Sequence, residues 1–155
     1  YEWDAIPKID HYEKYMNNHI KPYIDGNFRT KPDLANTATG GASSGAMIAL
    51  YMGFKYKDIY SKVAALSGGF DYYIDITKSD FFKTGSGLKI YLDCGTNDLD
   101  KQLLPATVAV KDELLKLDFV ENQNLLYYIA DKSGHNEKEW AKRTPAFLEF
   151  LFGKK

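Results

Sequence analysis

The stretch TGGASSGAM, residues 39–47, sets two hydroxyls among residues with almost no side chain. Within it, Gly41-Ala42-Ser43-Ser44-Gly45 reads G-x-S-x-G. Between a strand and a helix, this pentapeptide makes a sharp turn that lifts its middle serine clear of the sheet. The residues two before and two after that serine crowd each other, so Gly41 and Gly45 are the bare positions such an elbow needs. Ser43 then stands at a helix N-terminus, where the dipole and free N–H groups favour developing negative charge. The backbone N–H of Ser44 is expected to point where an oxyanion would form. The chemistry such a turn would serve is acyl transfer through a serine hydroxyl, a poor nucleophile that needs a base, which in turn needs an orienting acid.

With this motif the partners follow in the order acid, then histidine. Of the three histidines, His11 and His19 precede the motif and read as surface residues of a first helix. His135, in KSGHNE, is the one in the right order, just past a strand. For the acid, Asp98 in the loop TNDLD is favoured, because it lies just beyond the end of the strand LKIYLDCG. Asp93 and Asp100 compete. Asp93 falls inside the strand and reads as a structural carboxylate bonded to a backbone turn. Asp100 lies further out and reads as solvated. Asp131 is close in the chain to His135 and reads as a loop residue.

The elements that must hold these residues alternate. IDHYEKYMNNHIKPYI carries apolar residues at mixed helical spacing, with Pro22 breaking it. Residues 35–40, rich in threonine, are a short strand candidate, and GAMIALYMGF is a helix of good formers. KVAALSGG and LKIYLDCG are strands. PATVAVKDELLKLD is a helix with Pro105 in its first turn. NLLYYIAD is the fourth strand, and EKEWAKRTPAFLEFLF a helix with Trp140, Phe147 and Leu151 on one face. Near-continuous apolar strands alternating with helices imply an α/β fold, a parallel sheet with helices on both faces. Ser43, Asp98 and His135 then share the C-terminal edge of that sheet, where open α/β folds bind ligands.

Composition is even along the 155 residues, so one domain is expected. A hydrophobic share of 45% and a charged share of 26% suit a globular chain. The formal net charge of −1 gives no reason to expect a nucleic acid or a membrane surface as partner. A single cysteine, Cys94, rules out an internal disulfide framework and favours a reducing compartment. The histidines are not at metal-ligand spacing and no glycine-rich phosphate loop is present, so no metal or cofactor is expected. The aromatic segment GGFDYYIDITKSDFF follows a strand on the active edge. Phe70, Tyr72 and Tyr73, with Phe81 and Phe82, are candidates for a substrate pocket, although covering the core is the plainer role for them.

The chain resembles the Putative esterase (esterase-D-like) family of α/β-hydrolases. GGASSGAMIALYMGFKYKDIYSKVAALSGGF is similar to that family's elbow, helix and next strand. IYLDCGTND resembles its acid-bearing strand and turn, and GHNEKEWAKRTPAFLEFLF its histidine loop and last helix. The resemblance implies a three-layer sandwich around a mostly parallel sheet, with Ser43 as nucleophile, Asp98 as acid and His135 as base. It implies a serine carboxylesterase acting on a small ester, with an acyltransferase or a non-catalytic binding module as the alternatives. Ser44 and Ala46 depart from the Met and Gly the family often has there. Family domains also carry further strands ahead of the elbow, which supply the second oxyanion donor. Here the elbow comes at residue 43, so the sheet is expected to be the C-terminal half of the usual one. The strand at 35–40 is then an edge, which predicts pairing with a second copy or with a missing N-terminal half.

Overall fold

The computed structural model describes residues 5–70 and 87–153. Helix α1 (Ala5–Tyr15) runs through a π-helical turn, Met16–Ile20, into α2 (Lys21–Asn27). A 3₁₀ turn at Leu34–Asn36 precedes β1 (Ala38–Ala42). There follow α3 (Ser44–Lys55), β2 (Lys62–Leu66) and β3 (Lys89–Gly95). Then come α4 (Asp100–Leu115), β4 (Leu125–Ala130) and α5 (Glu137–Phe152).

The strands form one sheet in the order β1-β2-β3-β4, with every neighbouring pair parallel. Thr39, Val63, Ile90 and Leu125 lie in register across it. The register explains the layering, because side chains alternate between faces along each strand. Val63, Ala65, Ile90 and Leu92 point to one face and pack with Ala46, Leu50 and Phe54 of α3 and Val110 and Leu114 of α4. Ala64, Leu66 and Tyr91 point to the other and pack with Leu151, Trp140 and Phe147 of α5. Burying a side chain such as Leu50 or Ile90 contributes about 1.5–3 kcal/mol. The fold is α/β with helices on both faces of a parallel sheet, as the sequence pattern predicts.

Three boundaries differ from the sequence expectation, each for a physical reason. The first strand begins at Ala38, because Leu34–Asn36 closes a 3₁₀ turn in which Asn36 donates to the Asp33 carboxylate. Pro22 does not end the helical run. It sits in the first turn of α2, where a missing N–H costs little, after a turn whose last N–H, that of Lys21, reaches back to Met16. Helix α4 begins at Asp100 and contains Pro105 in its interior. Proline removes the bond to the carbonyl four residues back. That carbonyl belongs to Lys101, which is exposed to solvent. Among the described residues β1 pairs only with β2, so its other edge is open.

Candidate active site

The chain leaves β1 at Ala42 and enters α3 at Ser44, so one residue makes the turn. That residue is Ser43, with φ 57° and ψ −126°. Such a conformation costs a non-glycine residue about 1–3 kcal/mol. Its surroundings fix it: the Ser43 N–H donates to Leu66 O at 3.0 Å, and Ala46 N–H donates to Ser43 O at 3.1 Å. The crowding at the elbow is one-sided. A Cβ on Gly41 would lie 2.5 Å from the Gly45 carbonyl carbon, whereas one on Gly45 would meet nothing. Gly41 therefore must be bare for the turn to close, and Gly45 need not be.

His135 stands on the loop between β4 and α5. Its Nε2 lies 2.9 Å from Ser43 Oγ, and its Nδ1 lies 2.6 Å from Asp100 Oδ1. The loop is held from below. Ser133 N–H donates to Ala130 O at 3.1 Å, and the side chain of Asn136 caps α5 by accepting from Glu139 N–H at 3.1 Å. Trp140 sets its ring edge-on to the imidazole, 5.0 Å between centroids at 84°.

The carboxylate on His135 is that of Asp100, not Asp98. Asp98 has φ 50° and is exposed, and its carboxylate packs over Gly134. A Cβ on Gly134 would collide with Asp98 Oδ2. Asp98 thus abuts the histidine loop without reaching the ring. Asp100 is fully buried, and its second oxygen accepts from Gly95 N–H at 2.7 Å and from Ser67 Oγ at 2.6 Å. Because α4 starts at Asp100, the carboxylate also sits in a helix's first turn, the end that favours negative charge.

The remaining sequence candidates take other places. Asp93 is buried and structural: it accepts from Ser67 N–H at 3.1 Å, Tyr91 OH at 2.8 Å and Arg143 Nε at 2.7 Å. Burial raises its carboxyl above the usual range, against the pull of Arg143. Asp131 accepts from Thr96 Oγ1 at an exposed loop. His11 and His19 are exposed, on α1 and on the π-helical turn. Phe70 is buried in the core cluster that also holds Leu50 and Phe54 of α3, while Tyr72, Tyr73, Phe81 and Phe82 lie outside the described residues. Burial pushes the Cys94 thiol up to about 12, which leaves it a neutral core side chain rather than a rival nucleophile.

Sequence reasoning missed a buried polar cluster behind Asp100. Ser67, Asp93 and Arg143 are all enclosed, and Arg143 reaches Asp93, Ser67 Oγ and Ser133 Oγ from α5. Its signal was available in part, since an arginine on the apolar face of a helix needs a buried anion. Replacing Arg143 with methionine is expected to cost about 3–5 kcal/mol of unfolding free energy, because it leaves the Asp93 charge buried and unpaired. Denaturant unfolding reads this directly. A loss under about 1 kcal/mol would mean that Asp93 is held neutral in the fold.

The family described as "Putative esterase" matches residues 4–151. The chain belongs to that family. It is 24% identical over 152 residues to the protein YbbA of Bacillus subtilis (strain 168), covering 93% of this chain and 60% of YbbA. Among solved structures, a ferulic acid esterase superposes with a TM-score of 0.73 at 21% identity, over 90% of this chain and 60% of that one. The enterochelin esterase of Shigella flexneri gives a TM-score of 0.77 at 16% identity, over 90% of this chain and 36% of that one. At these identities the superpositions establish the α/β-hydrolase fold of this family member. The chain spans about 60% of the length of YbbA.

Proposed function

We propose that Ser43, His135 and Asp100 are the nucleophile, base and acid of a serine carboxylesterase site for small carboxylic esters. One observation carries the reading: the unbroken line from Ser43 Oγ to His135 Nε2 at 2.9 Å and from His135 Nδ1 to Asp100 Oδ1 at 2.6 Å. Family membership and the ester-cleaving names of the superposed structures support the substrate class.

The chemistry follows from the geometry. Neutral His135 takes the proton of Ser43 as Oγ attacks the ester carbonyl. The new C–O bond gives a tetrahedral oxyanion at the N-terminus of α3, where the N–H of Ser44 is one of the four that a helix leaves unpaired. His135 then passes the proton to the leaving alcohol as that C–O bond breaks, leaving an acyl group on Ser43. Water attacks the acyl carbonyl and gives its proton to His135, which returns it to Ser43 as the carboxylic acid departs. Asp100 holds the imidazole with its proton on Nδ1 and stabilises the imidazolium formed in each step. A fluorophosphonate tests the reading, because it reacts only with an activated serine. One label per chain, lost in Ser43→Ala, is expected. A folded chain that takes no label would overturn it.

A further inference from the structure

We propose that Ser67 is a positioning residue of the catalytic apparatus, holding Asp100 in the orientation that His135 requires; this rests on the triad reading above. A hydroxyl has one proton to donate and two lone pairs to accept with. All three positions of Ser67 Oγ are in use: Trp140 Nε1 lies at 3.0 Å, Arg143 Nη2 at 2.8 Å and Asp100 Oδ2 at 2.6 Å. Indole and guanidinium nitrogens only donate. The single Ser67 proton must therefore go to Asp100, and the direction of the whole network is fixed.

The network closes on itself. Asp100 holds one nitrogen of His135, Trp140 packs edge-on against the same ring, and Ser67 ties Trp140 to Asp100. Arg143 locks Ser67 to the buried Asp93, whose carboxylate also accepts the Ser67 N–H. Carboxylate and indole are thus both fixed by one hydroxyl beneath the histidine. Ser67 reaches this point only because it leaves β2 with φ 47°, a left-handed conformation that glycine would adopt without strain. The side chain that bears this strain is fully buried, and its hydroxyl makes the three contacts above.

The test uses Ser67→Ala and Ser67→Gly, each alone and combined with Asp100→Asn. Both remove the hydroxyl, but glycine relieves the backbone strain, so thermal melting separates folding effects from positioning. On an activated acetyl ester, both variants are expected to lose about 10–100-fold in kcat, the worth of one hydrogen bond to a charged group, with KM within about twofold. In the Asp100→Asn background the same changes should cost almost nothing more, because the group being positioned is already gone. Proton NMR gives a readout that needs no turnover: the His135 Nδ1 proton should exchange with water at least about tenfold faster in both variants, because its acceptor is then held by Gly95 N–H alone. Wild-type kcat in Ser67→Gly, or a full extra loss in the Asp100→Asn background, would overturn the proposal. If the wild-type chain cleaves no ester, the esterase reading falls, and the NMR result alone decides this one: unchanged exchange overturns it and faster exchange upholds it.

Discussion

Ser43→Ala and His135→Ala are each expected to lower kcat on an activated short-chain ester by about 10⁴-fold or more, and the double variant should lose little beyond either alone. Non-additivity is the informative part. In the proposed mechanism the Ser43 hydroxyl and the His135 ring, 2.9 Å apart, act as a single proton-transfer unit, so removing either disables both. Two residues that contributed independently would instead multiply their losses. Ser44→Ala serves as the control. Ser44 is exposed and in the proposed mechanism contributes only its backbone N–H, which alanine keeps, so its activity should stay within a few-fold of wild type. A dead Ser44→Ala beside an active Ser43→Ala would mean that the adjacent hydroxyl is the nucleophile. Steady-state kinetics with burst-phase measurement distinguish these outcomes, because the burst reports acyl-enzyme formation separately from its hydrolysis.

Much of this architecture can be read in the sequence because it rests on local patterns. Val63–Leu66 and Ile90–Leu92 are unbroken apolar runs, buried on both faces as parallel strands must be. The glycines around Ser43 mark a backbone that must bend sharply, and His135 stands alone in the right order. The acid is a different matter. TNDLD offers two carboxylates two residues apart, and which one turns inward depends on where α4 begins. Pro105 suggests a late start. The helix begins instead at Asp100, which carries that side chain under the sheet edge and leaves Asp98 outside over Gly134. Ser67 and Arg143 are harder still. Their roles come from a meeting of β2, β3 and α5 across the sheet, and no spacing in the chain encodes it.

Asp100→Asn is expected to reduce kcat by about 10⁴-fold, the loss typical when the acid of such a triad becomes an amide. The reason lies in the proton on the imidazole. An ionised Asp100 accepts from Nδ1, which leaves the Nε2 lone pair free to take the Ser43 proton. An asparagine whose oxygen stays on Gly95 N–H and Ser67 Oγ must turn its NH₂ toward the ring. Nδ1 then becomes the acceptor, the proton moves to Nε2, and Ser43 loses its base. Asp98→Asn should change kcat by no more than a few-fold, since that exposed carboxylate touches the loop at Gly134 and not the ring. Running the two substitutions side by side on the same ester separates the two assignments cleanly. A severe loss in Asp98→Asn together with an active Asp100→Asn would restore the sequence-based choice of acid. It would also require the two loops, tied by Asn97 N–H to Ser133 O at 3.0 Å, to rearrange in the working enzyme.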